Sequence, residues 1–342
     1  MNHAMNAESK TWAWWLLAGI GLLGMFCSLR WGTVQMDADE FTAGLYRAGG
    51  AETPIIWDLR MPRALMAYGA GAALAVAGLL MQTLFRNPLA GPSVLGITSG
   101  ASLGVAWVTL VAGGAAGITG GALTGSLGMG AEVLGAALGS FAVLGLLMAL
   151  MGRFSTRGGL LIFGLMLGYL TGAVVTVMQA GATAGALRAF VFWGMGSFAE
   201  VGLSTALITL ILGAAAIGVT WMKRHALDVW TLGSAAAESM GVDPKRTARG
   251  LVVWTGLLAA WVTAWCGPVA FLGLATPHGV RALLGSSRHG AVVLACGLGG
   301  GAVAVWADWL AHLAGLPLNA VLSVVGAPVV IAVILRKSSA GI

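Results

Sequence analysis

Apolar residues run along this chain in long blocks, and the polar residues are confined to the short gaps between them. A helix needs about 20 apolar residues to cross the hydrocarbon of a bilayer. The pattern therefore predicts an all-α integral membrane protein with about ten transmembrane helices, forming a single transmembrane domain over residues 1–342. The predicted spans lie near residues 12–29, 62–84, 92–112, 131–151, 160–181, 201–222, 248–266, 269–284, 291–312 and 319–335.

The composition supports this interpretation, because 58% of the residues are hydrophobic and only 9% are charged. A soluble domain carries about 25% charged residues, so lipid must cover the apolar surface. The 54 glycines fit close helix packing in a membrane, where small residues let two backbones approach. Residues 113–130 are Gly-rich and are predicted to form a loop or a partial re-entry. Cys27, Cys266 and Cys296 lie in apolar stretches and are interpreted as buried, small hydrophobic residues.

The net charge of +6 indicates membrane topology and not a nucleic-acid partner, because the basic residues lie in short loops. If the amino terminus is cytoplasmic, most of the 18 Lys and Arg residues fall on the inner side. The positive-inside rule thus predicts that both termini are cytoplasmic, with an even number of spans.

Charge inside the predicted spans is scarce, since Asp308 is the one acidic residue well inside a span. Ion-coupled transporters carry ionisable groups at membrane depth, so the energy source is predicted to lie outside this chain. Residues 91–98 and 267–276 have similar sequences and open the third and eighth predicted spans. That offset predicts an inverted internal repeat.

The most distinctive segment covers residues 58–104. Pro62 can begin a helix, and Gly69, Ala73 and Ala77 form a stripe suited to tight packing. The sequence Arg86-Asn87-Pro88 would end that helix. This segment resembles the signature of the iron-chelate and vitamin B12 (FecCD-type) ABC permease family.

The resemblance extends over nearly the whole chain, through residues 193–197 (WGMGS), 271–278 (FLGLATPH) and 325–328 (VGAP). It implies the fold of a type II ABC importer permease in a bacterial inner membrane. It further implies a homodimer in the lipid bilayer, two ATPase subunits, and a periplasmic or lipid-anchored substrate-binding protein. ATP and Mg would bind on the ATPase, because this chain has no P-loop motif. No cofactor, metal site or catalytic group is predicted in the chain itself.

The polar segment 231–250 is either a solvated linker or, as the resemblance implies, the loop that couples to the ATPase. Residues 235–240 favour a helix, Gly241 can end it, and Asp243-Pro244 can start a second short helix. The resemblance assigns the coupling contacts to Leu232, Gly233, Ala237, Gly241 and Val242.

The resemblance also assigns a cytoplasmic gate and a docking surface. Ser155 and Thr156 would line the gate, and their alternative role is an ordinary helix-capping turn. Arg60, Arg63 and His312 would meet the binding protein on the outer side. For the two arginines, the alternative is a pair of interfacial anchors. His278 is interpreted as structural, and not as a haem ligand.

Three functions are compatible with these features. An ABC importer permease agrees best with the motifs, whereas an ion-coupled secondary transporter would need more intramembrane charge. The third candidate is a membrane enzyme or a structural membrane subunit, and the lack of any catalytic constellation argues against it. The predicted substrate is an iron complex, either a ferric siderophore or haem, and vitamin B12 (cobalamin) is the alternative.

Overall fold

The structure is a computed structural model that describes residues 11–112, 126–154 and 157–339. Every regular element in these ranges is helical. The helices are α1 (Thr11–Arg30), α2 (Ala38–Leu45), α3 (Glu52–Phe85), α4 (Ile97–Ala106), α5 (Ser126–Leu150), α6 (Arg157–Ala180), α7 (Ala184–Gly194), α8 (Leu203–Met222), α9 (Arg224–Thr231), α10 (Ser234–Ser239), α11 (Pro244–Cys266), α12 (Leu272–Leu284), α13 (His289–Ala314) and α14 (Leu318–Ser339). Residues 55–60 of α3 and residues 107–112 after α4 are π-helical, and Pro92–Leu95 and Met151–Arg153 form 3-10 turns.

Each of the ten predicted spans contains a helix of the structure. Within the described ranges, seven helices are long and apolar enough to cross a membrane, namely α1, α3, α5, α6, α8, α11 and α13. The apolar parts of α4 and α14 are shorter, and α12 has 13 residues. The chain is therefore a multi-pass membrane protein, while the total of ten spans and the inverted repeat stay predictions. The predicted loop at 113–130 lies mostly outside the described residues.

One boundary prediction is wrong. Asp243-Pro244 does not start a second short helix, because it opens α11, which continues without interruption to Cys266. Oδ1 of Asp243 accepts hydrogen bonds from the backbone N–H groups of Lys245 (2.8 Å) and Arg246 (3.1 Å). Pro at the first helical position fits this start, and nothing in the apolar sequence that follows stops the helix.

Three helices were not predicted, because they are short or too polar to cross a bilayer. They are α2, α7 and α9. Helix α2 begins at a capping box, in which Asp37 and Glu40 each accept from the other's backbone N–H at 2.8 Å.

Helix α3 is the centre of the bundle. In its most apolar stretch 89% of the residues are buried, compared with 22% in α1 and α6. Helices α8, α11, α12 and α13 pack around it. A helix that is apolar on all sides belongs in such a position, and a helix with little burial faces lipid or another chain.

Backbones approach very closely where α3 meets its neighbours. A methyl group added at Gly78 would stand 1.7 Å from the carbonyl oxygen of Gly273 in α12. One added at Gly69 would stand 2.7 Å from the backbone of Leu210 in α8. Ala73 and Ala77 of the predicted stripe are also buried, which confirms that this stripe serves tight packing.

Replacing Gly78 with Ala should destabilise the bundle, because the new methyl group has no room beside Gly273. Overpacking a tight core costs about 1–3 kcal/mol or more. The matched control is Gly218→Ala in α8, where nothing lies within 4 Å of the added methyl group. Thermal unfolding of both variants in detergent checks this, and equal melting temperatures for the two would contradict it.

Candidate functional sites at the two ends of the helix bundle

The end of α3, helices α9 and α10, and the start of α13 lie together at one end of the bundle, which we call the inner end because the sequence predicts it to be cytoplasmic. His289, the first residue of α13, donates to the carboxylate of Asp228 in α9 through its backbone N–H (2.9 Å) and Nδ1 (2.7 Å). Its Nε2 lies 2.9 Å from Oγ1 of Thr83, near the end of α3. This chain of contacts ties α9 to both α3 and α13.

A second polar group at the inner end joins α12 to α3. Nη1 of Arg281 donates to Oε1 of Gln82 (2.6 Å), and Nε2 of Gln82 donates to the carbonyl of Leu274 (3.1 Å). Nε2 of His278 lies 2.7 Å from the carbonyl oxygen of Pro88 and donates to it. This contact gives His278 a structural role, as the sequence predicted.

The predicted coupling segment, residues 231–250, comprises the last residue of α9, α10 with the turns on either side of it, and the first residues of α11. Gly233 (φ +121°) precedes α10 and Gly241 (φ +81°) follows it, and both need a backbone conformation that glycine adopts without strain. Helix α9 anchors the segment, since its Leu227 and Trp230 are fully buried.

The predicted coupling residues have different surroundings in this segment. Leu232 is 66% exposed, so its side chain is free to contact another subunit, whereas Ala237 is completely buried within its own chain. Val242 is partly buried against the core. Sequence reasoning did not select Met240 as a coupling contact, although its side chain is 60% exposed. It also missed the Asp228–His289 contact, because the two residues are far apart in sequence.

The predicted gate residues Ser155 and Thr156 lie outside the described residues. The neighbouring Phe154 packs against Phe163 of α6 with ring centroids 5.3 Å apart. This aromatic contact joins Phe154, which follows the 3-10 turn after α5, to α6.

At the opposite, outer end, a buried ion pair joins α3 to α13. Nε and Nη2 of Arg63 lie 2.6 and 2.9 Å from the two carboxylate oxygens of Asp308. Nη1 of Arg63 lies 3.0 Å from Nδ1 of His312. The side chain of Asp308 is 3% exposed and that of Arg63 is 20% exposed. Asp308 therefore has a fixed cationic partner.

Arg60 is turned towards the end of α1 and is buried. It donates to the carbonyl oxygens of Leu29 (2.7 Å), Arg30 (3.1 Å) and Val34 (2.5 Å). Of the three predicted docking residues, Arg63 and His312 thus lie in one cluster. Arg60 lies apart from it and holds the end of α1 and the segment that follows.

The two segments of the predicted repeat face each other across a cavity of about 320 Å³. Pro92, Ser93 and Thr98 line it from one segment, and Phe271 and Leu274 from the other. The second segment is held by Asn319, whose Oδ1 accepts from the N–H of Ala270 (3.0 Å) and whose Nδ2 donates to the carbonyl of Pro268 (2.7 Å). In transporters built from inverted repeats, the substrate site lies at the interface between the two repeats.

The described residues contain no cluster of three or more His, Cys, Asp or Glu side chains that could hold a metal ion. Cys27, Cys266 and Cys296 are buried and unpaired.

Comparison with known proteins agrees with this architecture. The profile of the FecCD transport family matches residues 20–336. The vitamin B12 import system permease protein BtuC of Vibrio cholerae is 37% identical over 94% of this chain and 95% of its own length. The hemin transport system permease protein HmuU of Yersinia pestis is 32% identical over 82% of this chain and 84% of its own.

A solved structure supports the fold independently. It is described as an inward-facing conformation of a metal-chelate type ABC transporter, and it superimposes with a TM-score of 0.78 at 24% sequence identity. The match covers 95% of this chain and 98% of the solved one.

The family profile, the permease relatives and the all-helical bundle agree, and the chain belongs to the FecCD transport family as a permease of an ABC importer.

Proposed function

We propose that this permease carries a metal–tetrapyrrole complex, haem or vitamin B12, across the cytoplasmic membrane of a bacterium. The support is the similarity over most of the chain to permeases named for each of these two substrates. Haem is also one of the iron complexes that the sequence predicted. Ferric siderophores are the other, and the uptake experiment described below compares them with haem and vitamin B12.

The substrate would pass between two copies of the chain. Helix α6 leaves most of its surface uncovered, including Ile162, Tyr169 and Leu170. The apolar side chains Val324 and Ile331 of α14 are exposed as well. In a homodimer these faces would meet the second copy or lipid, and the gate residues Ser155 and Thr156 would lie at the cytoplasmic end of the path.

The exposed inner surface of 232–242 would receive the ATPase. Leu232 and Met240 offer apolar side chains, while the buried Ala237 holds α10 against the bundle. A push on α10 would reach α9, and from there α13 and α3 through Asp228, His289 and Thr83. The ATPase would bind ATP and Mg, and its movement would open the path between α5 and α6 of the two copies.

The substrate proposal is tested by uptake into vesicles that contain the permease, its ATPase and its binding protein. Labelled haem, cobalamin and a ferric siderophore are compared, each with an excess of the unlabelled competitors. We expect ATP-dependent uptake of haem or cobalamin, with no competition from the siderophore. Uptake of the siderophore alone would contradict the proposed class, and uptake driven by an ion gradient without ATP would contradict the transport mechanism.

Replacing Leu232 and Met240 together with Asp should uncouple the permease from its ATPase. Burying an apolar side chain of this size contributes about 1.5–3 kcal/mol, and two buried charges would oppose contact. We expect uptake to fall by at least tenfold while membrane insertion and thermal stability stay unchanged.

The control for this variant is Ser287→Asp, an exposed residue in the neighbouring turn between α12 and α13. It should keep uptake near the wild-type level. Co-purification of the ATPase provides the second measurement, and normal recovery of the ATPase with the double Asp variant would refute the coupling surface.

The proposed docking role of Arg63 can be tested separately from the structural role of its ion pair with Asp308. Asp308→Leu alone leaves a buried arginine without its partner, which typically costs about 3–5 kcal/mol. Adding Arg63→Met removes that charge and should restore most of the thermal stability. If Arg63 also meets the binding protein, the restored double variant will need more binding protein to reach half-maximal uptake. An unchanged requirement would rule out docking through Arg63.

A further inference from the structure

A second cavity, of about 350 Å³, lies at the inner end of the bundle between α3, α8, α9 and α11. Its apolar wall includes Leu80, Leu227 and Leu251, all of which are buried. Trp254 of α11 lines the same space. The cavity is therefore suited to a hydrocarbon or another apolar group, and not to a small hydrated ion alone.

Two cations, Lys223 and Arg246, stand at this cavity. Lys223 follows α8 and Arg246 lies in the first turn of α11, and both are exposed. Nζ of Lys223 leans over Gly250, 4.0 Å from where a methyl group on that glycine would stand. Both ion pairs found among residues 11–112, 126–154 and 157–339 involve other residues, so these two positive charges face the cavity without an acidic partner there.

Two neutral polar groups of the cavity wall are also without partners. Thr220 is 2% exposed, and neither its hydroxyl nor the indole N–H of Trp254 has a hydrogen-bond partner in the described part of the chain. Leaving such a group unpaired costs about 1–3 kcal/mol, so an occupant with acceptor oxygens would be stabilised here.

We propose that this cavity binds the phosphodiester headgroup of an anionic phospholipid from the inner leaflet. The two cations would hold the phosphate, and the apolar wall would hold the first part of an acyl chain. Val219 of α8 lines the cavity and is exposed, so it would lie in the hydrocarbon beside the acyl chain. Basic pockets between transmembrane helices on the cytoplasmic side are suited to such headgroups. A free phosphate would leave the apolar wall unfilled.

The site is tested by native mass spectrometry of the full-length permease purified with its ATPase subunits. Phosphatidylglycerol and phosphatidylethanolamine with identical acyl chains are added in turn. We expect preferential retention of phosphatidylglycerol in wild type. The Lys223→Ala/Arg246→Ala variant should bind it about tenfold or more weakly, as the loss of two surface cations predicts.

The matched control is Lys245→Ala/Arg249→Ala, which removes two exposed cations of the same helix start that do not line the cavity. This control should retain the lipid as wild type does. The charge-preserving variant Lys223→Arg/Arg246→Lys should also bind it, which separates loss of the site from loss of the fold.

Four results would overturn the proposal. One is equal retention of the two lipids, and another is equal loss of binding in the control variant. The third is displacement by glycerol phosphate at the same concentration as the lipid, because it would identify a phosphate site that makes no use of the apolar wall. Binding that occurs only after the ATPase subunits are removed would show that the cavity is a subunit contact, and would equally refute the lipid site.

Discussion

The close pairing of α3 with α13 is the contact on which the rest of this structure depends. The two helices cross where Gly71 faces Gly300, since a methyl group at Gly71 would stand 2.3 Å from the carbonyl oxygen of Gly300. Arg63 and Asp308 join them at the outer end, and Thr83 and His289 join them at the inner end. Lipid offers no hydrophobic force between helices, so backbone approach and buried polar contacts must supply the attraction. The α3–α13 pair has close backbone approach at its middle and a buried polar contact at each end.

This pairing gives a common reason for the few polar side chains inside the bundle. Bilayer hydrocarbon cannot satisfy a carboxylate or a guanidinium, so each must find a partner within the protein. Asp308 finds Arg63, and Arg281 finds Gln82. Because Asp308 has a fixed cationic partner, it is poorly suited to bind and release protons during transport. This agrees with an importer driven by ATP.

The sequence could predict the helices because lipid imposes a length and a composition on each span. It could also predict the small-residue stripe of α3, since Gly69, Ala73 and Ala77 repeat at the spacing of a helix face. It could not predict contacts such as Asp228–His289, because no local pattern connects two residues that distant in the chain. The boundary at Asp243-Pro244 failed for a related reason. A capping signal marks where a helix starts, but the apolar sequence that follows decides how long the helix is.

The same physical argument limits which parts of the permease can move. Separating α3 from α13 would break a buried ion pair and expose backbone that now lies in contact, so these helices must move as one body. Helices α5 and α6 are much less buried, at 33% and 22% of their most apolar stretches, and can shift with less loss of contact. Helix α9, which leads into the proposed coupling segment, is attached to the rigid pair through Asp228 and His289. In the proposed function, movement of that segment would turn the α3–α13 pair against α5 and α6. The predicted gate residues lie between those two helices in the sequence.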